Sequence, residues 1–338
     1  MNDQPGESRA VLATPALLDG EPAWRSALRS PLVGPLAALL LAVLVFSLGT
    51  RTFMTADNVS LMLQQSVVVG TLALGQTLII LTAGIDLANN AIMVLGTVVM
   101  AKFVLSGGDP AVALLLGIVV CAVAGGVTGT IVSRFHLPPF IVTLGMLTAI
   151  EAGTRLYANS TSFTVPSSLL TWPGNTVGIA GAEVPYSVFL WFILFVVAGY
   201  GLSQTAAGRH IIAVGDNPEA ARLAGIDVRR VLLGVYITAG VVYGLAGWSA
   251  LGRIPVADPA GYATANLDSI TAVVIGGTSL FGGRGGVIGT LFGTLIVTVL
   301  GNGLTQAGID SLYQQVAIGI LVVLAVAVDQ FIRRRRLS

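Results

Sequence analysis

The sequence predicts an all-α, polytopic membrane protein with about ten transmembrane helices. Of its 338 residues, 54% are hydrophobic and only 10% are charged, whereas a soluble protein carries about 25% charged residues. This composition excludes an ordinary soluble enzyme and a disordered chain. The 17 basic and 16 acidic residues nearly cancel, so the chain lacks the basic face that would bind nucleic acid.

Ten apolar segments are long enough, or nearly so, to cross the bilayer, which takes about 20 residues. Lipid offers the backbone no hydrogen bonds, so continuous apolar runs of this length are expected to be helices. The predicted spans are 31–49, 61–82, 87–106, 110–133, 138–158, 186–203, 230–252, 267–282, 286–304 and 312–332. With both termini in the cytoplasm, most of the basic residues fall inside, in agreement with the positive-inside rule.

The chain is predicted to have three parts. Residues 1–30 form a cytoplasmic N-terminal segment, 31–332 form the transmembrane domain, and 333–338 form a cytoplasmic basic tail. The N-terminal segment carries acidic residues and prolines before any apolar run, so the first span is expected to be retained and not cleaved as a signal peptide. Two connections are long: the polar loop 159–185 is predicted to lie outside and the loop 204–229 inside.

A weak internal repeat relates the two halves of the chain. The segments 83–99 and 281–297 each place a Gly-rich break before an apolar helix with a Gly-Thr pair, and broken helices in transporters lie near the pathway. Asp86, in the first break, is expected either to cap the next helix or to face the pathway. Glu151 and Arg155 are four residues apart and are expected to form an ion pair.

Polar side chains within predicted spans are costly in lipid and often functional. They can bind a polar solute, or they can bond to neighbouring helices, and the sequence leaves both interpretations open. The candidates for lining a solute pathway are Asp86, Asn89, Asn90, Thr143, Asn302 and Gln306.

No motif for catalysis, metal binding or cofactor binding is recognisable. The two histidines, His136 and His210, have no metal-ligand spacing around them, and Cys121 is alone. A P-loop needs a Gly-Lys-Ser or Gly-Lys-Thr sequence, but the only lysine is Lys102. If transport is driven by ATP, the energy must therefore enter through another polypeptide.

The loop GRHIIAVGDNPEAARLAGIDVRRV, at 208–231, contains a predicted short helix. Asn217 is a suitable N-cap, Pro218 fits the first turn, Glu219 favours its positive end, and Gly225 is a natural stop. A helix of under three turns is too short to be stable alone. The loop is therefore either a docking element for a partner or an ordinary ordered connection.

This loop and three further blocks resemble the bacterial ABC-importer permeases of the ribose-, xylose- and arabinose-type sugar family. The blocks are LTAGIDLANNAIMVLGTVVMA at 81–101, LPPFIVTLGMLTAIEAGTRL at 137–156 and LDSITAVVIGGTSLFGGRGGVIGTLFGTLIV at 267–297. The resemblance covers about residues 32–332. It implies an inner-membrane permease of about ten helices that translocates a monosaccharide together with a second permease copy, two cytoplasmic ATPases and a periplasmic sugar-binding protein.

The resemblance also implies that residues 215–225 are the coupling helix, within a coupling loop over 208–230, and that this helix docks into the ATPase. The residues assigned to this role are Gly208, Arg209, Gly215, Asn217, Pro218, Glu219, Ala220, Ala221 and Gly225. One departure from the family is that Asn89 and Asn90 stand where a small, Gly-containing stretch is usual.

Three alternatives to a sugar permease remain. A permease of the same family could carry branched-chain amino acids, nucleosides or another small polar solute. An ion-coupled secondary carrier belongs to a different class and would work without an ATPase. A membrane-embedded enzyme is disfavoured because no acid–base or metal cluster is present.

Overall fold

The computed structural model describes residues 32–166, 168–179, 181–320, 323–324 and 327. The predicted N-terminal segment 1–30 and the basic tail 333–338 lie outside these residues. The described chain is mainly helical, which confirms the all-α prediction.

Most helices follow one another with short connections, and the connection between α5 and α6 is long. They are α1 (Val33–Gly49), α2 (Ala56–Leu81), α3 (Asn89–Leu105), α4 (Pro110–Phe135), α5 (Pro139–Tyr157), α6 (Tyr186–Gln204), α7 (Ala206–Asp216), α8 (Pro218–Leu223), α9 (Val228–Arg253), α10 (Ala265–Ile275), α11 (Val287–Gln306) and α12, which includes residues 311–320. Within the described residues, α2, α4, α6, α9 and α11 are long and apolar enough to cross a membrane. The chain is therefore a multi-pass membrane protein.

The polar loop between α5 and α6 contains short strands. The strand β1 (Phe163–Thr164) pairs antiparallel with β4 (Val256–Ala257), which follows α9. The strands β2 (Thr176–Ile179) and β3 (Ala182–Pro185) form an antiparallel hairpin. The β1–β4 pair ties the loop to the end of the bundle at which α9 ends.

The centre of the bundle is α2, which is buried along most of its length and contacts α6, α9, α10 and α11. The helices α4 and α9 pack unusually closely because glycines face each other. A Cβ added at Gly125 would overlap the backbone oxygen of Tyr236, and one added at Gly240 would overlap that of Cys121. Small residues allow this approach where lipid provides no hydrophobic force between helices. Large apolar side chains such as Leu115 and Val196 are exposed on the outer faces of α4 and α6, as a lipid environment permits.

The predicted span 267–282 is wrong in its length. The helix α10 has 11 residues and rises only about 16 Å, roughly half the hydrocarbon thickness. It ends because Gly277 has a φ of +86° and is followed by a loop in which Gly282 and Gly283 also have positive φ. Glycine adopts this conformation without a steric penalty, so this glycine-rich run breaks the helix.

The connection between α6 and α9 contains more helix than the sequence predicted. Besides the expected short helix, residues 206–216 form α7. Thr205 caps it by accepting a hydrogen bond from the Gly208 backbone nitrogen at 3.2 Å. The turn into α7 is tight, because a Cβ at Gly208 would overlap the backbone of Leu202.

Candidate functional site: a broken-helix centre and a surface helix

Two short helices begin inside the bundle and meet through their first turns. Asn89, the first residue of α3, donates a hydrogen bond from Nδ2 to Ser269 Oγ in α10 at 2.8 Å. Asn266, at the start of α10, donates from Nδ2 to the backbone oxygen of Leu87 at 3.2 Å. The three polar side chains are buried. Two helix N-termini, each with a partial positive charge, thus lie beside one polar centre, as in the broken helices of transporters.

The extended segment between α2 and α3 is held by side chains. Asp86 Oδ1 accepts a hydrogen bond from the Ala88 backbone nitrogen at 2.8 Å. The Gln76 side chain donates to the backbone oxygen of Asp86 at 3.0 Å and accepts from its nitrogen at 3.1 Å. Thr143 of α5 donates to the backbone oxygen of Ile85 at 3.0 Å. These bonds satisfy backbone groups that a regular helix would otherwise satisfy.

Three buried acceptors at this centre have no hydrogen-bond partner within the described residues: Asp86 Oδ2, Asn89 Oδ1 and Asn90 Oδ1. A buried acceptor left unpaired costs about 1–3 kcal/mol, and such groups are satisfied by a water molecule or a bound solute. The Tyr243 hydroxyl adjoins the Asp86 carboxyl group. The centre therefore has both donors and acceptors for a polar solute.

Asn302 and Gln306 lie elsewhere. Asn302 exchanges two amide hydrogen bonds with Asn58, at 2.9 and 3.0 Å. Gln306 donates to Asn58 Oδ1 at 2.9 Å and accepts from Thr52 Oγ1 at 2.8 Å. This network joins the start of α2 to the end of α11, whereas the polar centre follows the other end of α2, ~35 Å away along that helix. The structure therefore brings Asp86, Asn89, Asn90 and Thr143 together, but not the other two candidates.

The expected ion pair between Glu151 and Arg155 is wrong. In the described part of the chain, the ion pairs lie in the connection from α7 to α9. Partly exposed pairs gain at most about 1 kcal/mol, so spacing along a helix does not force a pair to form. Both side chains instead line a narrow pocket beside Asn90.

The short surface helix α8 has the predicted ends. Asn217 Oδ1 accepts from the backbone nitrogens of Glu219 at 3.1 Å and Ala220 at 3.0 Å. Pro218 occupies the first turn, and Gly225 follows the helix with a φ of +85°. The sequence therefore specifies this helix locally, through a cap at one end and a glycine at the other.

The outward face of α8 is exposed. Leu223 is 79% exposed and is adjacent in sequence to Arg222, which forms an ion pair with Glu219 at 2.6 Å. Arg209 of α7 is exposed as well. A single exposed leucine is ordinary on a protein surface, so its exposure alone assigns no partner to this face. We call the side chains of Arg209, Glu219, Arg222 and Leu223 the docking face.

The opposite face of this connection packs against the bundle through backbone atoms. A Cβ at Gly215 would overlap the Leu81 backbone oxygen, which already accepts a hydrogen bond from the Gly283 nitrogen at 3.0 Å. A Cβ at Gly282 would lie 2.7 Å from the Ala83 nitrogen and from the Gly215 oxygen. The end of α7, the end of α2 and the loop before α11 therefore meet at one point, which we call the three-segment junction.

Sequence reasoning missed this junction. The two loops that meet there belong to the two repeated segments, 83–99 and 281–297, so the internal repeat was the available signal. It did not show that the repeated breaks contact each other, or that Gly215 fits between them.

The bundle of apolar helices, the polar centre between two broken helices and the exposed surface helix together define a multi-pass membrane transport subunit. Residues 58–326 match the family model described as "Branched-chain amino acid transport system / permease component", and the chain belongs to this family.

Relatives with assigned names extend over nearly the whole chain. The fructose import permease protein FrcC of Rhizobium meliloti is 45% identical, over 90% of this chain and 87% of its own. The ribose import permease protein RbsC of Escherichia coli K12 is 38% identical, over 87% and 92%. The D-allose transport system permease protein AlsC of the same strain is 34% identical, over 89% and 92%. The comparison with solved structures gave no match.

Proposed function

We propose that this chain is the permease subunit of an ABC importer that carries a monosaccharide across the bacterial inner membrane. The relatives named for fructose, ribose and allose each match more than four fifths of both chains, and this is the observation that carries the proposal. The family description mentions branched-chain amino acids, but the names of the individual relatives favour a sugar as the transported solute.

The topology we propose has ten crossings with both termini in the cytoplasm. The helices α1 to α6, α9, α11 and α12 supply nine. The tenth is residues 258–275, in which a run of turns precedes the half-length α10. This arrangement places α7 and α8 on the cytoplasmic side and the strands β1 to β4 on the periplasmic side, where a sugar-binding protein would deliver the solute.

The docking face is proposed to bind a separate cytoplasmic ATPase. A helix of six residues is unstable alone, yet α8 presents an exposed leucine between charged groups. The coupling residues take different parts. Gly208 and Gly215 let α7 pack closely against its neighbours. The helix α8 is defined by Asn217, Pro218, Ala220 and Gly225, and its Ala221 is buried. Arg209 and Glu219 are exposed.

The three-segment junction is proposed to transmit the movement of the ATPase. Because Gly215 contacts Leu81 and Gly282 directly, a displacement of α7 reaches both helix breaks without an intervening side chain. These breaks lead to the starts of α3 and α11. Binding and hydrolysis of ATP can switch the pathway between outward-facing and inward-facing states only if these contacts differ between the two states.

The pathway is proposed to pass the polar centre, with Asp86, Asn89, Asn90 and Thr143 at or next to it. The amide network of Asn302 and Gln306 is proposed to hold α2 against α11. A second permease copy, identical or homologous, is proposed to complete the channel, as the resemblance to ABC-importer permeases implies.

The test is transport by purified components in proteoliposomes. The chain with its ATPase and binding protein should take up fructose, ribose or allose only when ATP is supplied on the ATPase side. Uptake by the chain alone in response to an ion gradient would establish the secondary-carrier alternative. ATP-dependent uptake of leucine or a nucleoside, without uptake of any of the three sugars, would establish the other permease alternatives.

A further inference from the structure

The start of α10 presents an acidic side chain on the outside of the described chain. Asp268 is partly exposed, Leu267 beside it is 53% exposed, and Thr264, the residue before the helix, is exposed as well. From Ser269 to Val274 the same helix is buried. The exposure is therefore confined to its first turn, and we call the side chains of Thr264, Leu267 and Asp268 the α10 face.

The α10 face lies deep in the membrane. Asn266, in the same turn, bonds to the backbone oxygen of Leu87, and the carboxyl group of the neighbouring Asp86 adjoins the Tyr243 hydroxyl of α9. Tyr243 lies ~22 Å from the start of α9 and ~15 Å from its end, and α9 is long and apolar enough to cross the bilayer. Asp268 is therefore at a depth where the surroundings of a lipid-facing residue are hydrocarbon.

The chain itself does little to satisfy the Asp268 carboxylate. Among the described residues, its Oδ2 accepts a long hydrogen bond of 3.4 Å from Thr264 Oγ1, and the ion pairs of these residues involve other groups. An acidic side chain is costly in contact with lipid, so such residues face the interior of a bundle or a water-filled cavity. Because Asp268 is partly exposed on the outside of this bundle, the cavity must lie on the outer side of α10.

We propose that the α10 face lines a water-filled solute passage whose opposite wall is a second copy of the permease. The charge of Asp268 excludes lipid from this face, so the passage is incomplete without another protein wall. The second copy of the proposed function supplies that wall, and in this respect the proposal rests on the proposed function. The helix α10 then separates two polar environments, because Ser269 bonds into the polar centre while Asp268 faces the passage.

The chemistry of the α10 face suits the donor groups of a polar solute. The carboxylate accepts hydrogen bonds, and the Thr264 hydroxyl both donates and accepts them. A sugar offers hydroxyl donors to such a face and an amino acid offers an ammonium group, so the solutes compared below distinguish these two sources.

The α10 face is connected to the three-segment junction through one short helix. The helix α10 ends at Ile275, and the loop that follows it reaches the end of α7, where a Cβ at Gly283 would lie 2.8 Å from the Cα atom of Asp216. A displacement of α7 would therefore move α10 and change the width of the passage.

The first experiment measures whether water reaches the α10 face. Cys121 is the only cysteine and is fully buried, so a single substitution introduces one reactive thiol. In the complete importer in proteoliposomes, Leu267→Cys should react with a charged, membrane-impermeant maleimide supplied on both sides, because a hydrated thiol can ionise. Val196→Cys in α6, where the valine is 71% exposed, is the matched control and should react at least about tenfold more slowly, because its thiol faces lipid. Equal rates for the two thiols would overturn the proposal.

The second experiment measures transport through the passage. Fructose, ribose, allose and leucine are the probes, and those that the importer carries should slow the labelling of Leu267→Cys during turnover. Asp268→Leu should lower uptake by about tenfold or more, because it removes the acceptor from the passage wall, and Asp268→Asn should lower it less. The thiol of an Asp268→Asn, Leu267→Cys double variant should still be labelled, which shows that the passage is formed. Asp57→Asn, at the exposed start of α2, is the control and should transport normally. Normal uptake by Asp268→Leu would overturn the role of the carboxylate.

The third experiment identifies the opposite wall. A benzophenone maleimide attached to Leu267→Cys should form, on illumination, an adduct with a second permease chain that mass spectrometry identifies by its peptides. Adducts with lipid alone, or no adduct, would show that a second copy does not close the passage.

Failure of this proposal is distinguishable from failure of the proposed function. If the wild-type importer takes up none of the sugars, the proposed function is wrong, but thiol labelling and cross-linking need no transport and still decide whether the passage exists. If the importer takes up a sugar and Leu267→Cys reacts no faster than Val196→Cys, the passage at the α10 face is wrong and the proposed function stands.

Discussion

The connection between α6 and α9 has two faces that are built differently. Its inner face, the three-segment junction, is made of backbone atoms and glycines, with no space for a Cβ at Gly215. Its outer face, the docking face, consists of side chains that extend into open space, with Leu223 79% exposed. The inner face is therefore intolerant of added atoms, whereas the outer face can change without affecting the fold. The substitutions below separate transmission within the permease from attachment of a partner.

The largest effect is expected at the inner face. Gly215→Ala places a methyl group against the Leu81 backbone oxygen, and overpacking of this kind costs about 1–3 kcal/mol in stability. The variant should unfold at a lower temperature in detergent and lose transport. Gly234→Ala in α9 is the matched control, because its Cβ meets nothing within 4 Å, and it should be neutral or stabilising by about 0.5–1 kcal/mol. Equal melting temperatures for the two variants would show that Gly215 is not in close contact with Leu81.

The next largest effect is expected at the docking face. Leu223→Ser should weaken association with the ATPase by about tenfold, which corresponds to the loss of one apolar contact in a protein interface. The melting temperature of the isolated permease should stay unchanged. Leu156→Ser is the control, since Leu156 is also 79% exposed but lies at the end of α5. If both variants bind the ATPase like the wild type, α8 is not the docking element.

A smaller effect is expected at the cap of α8. Asn217→Ala removes the acceptor for two backbone nitrogens, which costs about 1 kcal/mol in helix stability. The helix must then be ordered on binding, so the ATPase affinity should fall about fivefold. Asn217→Asp keeps the acceptor and should bind nearly normally. Faster hydrogen exchange of the α8 amides in Asn217→Ala would confirm the cause; exchange and affinity equal to those of the wild type would show that the cap does not matter.

The same contrast explains which features the sequence could predict. The ends of α8 depend on Asn217 and Gly225, which act on residues within a few positions, so they were predicted correctly. The three-segment junction depends on Gly215 meeting Leu81 and Gly283, which are distant in the chain, and one sequence contains no information on such pairings. The predicted pair of Glu151 and Arg155 failed because helical spacing does not show what else the side chains face. The span through α10 was predicted too long because its apolar residues continue into the glycine-rich break.

The smallest effect is expected at the Glu219–Arg222 ion pair on the docking face. Both groups are exposed, and such pairs contribute little to stability. The Arg222 guanidinium, through a hydrogen bond and its charge, lowers the pKa of Glu219. The contribution of the pair is therefore present above the ordinary pKa of a glutamate and lost as the pH falls through the lowered value. Glu219→Gln should melt almost like the wild type at neutral pH, and the small difference should vanish at acidic pH. A loss of ATPase affinity as large as that of Leu223→Ser would show that the charge, and not the exposed leucine, dominates the docking face.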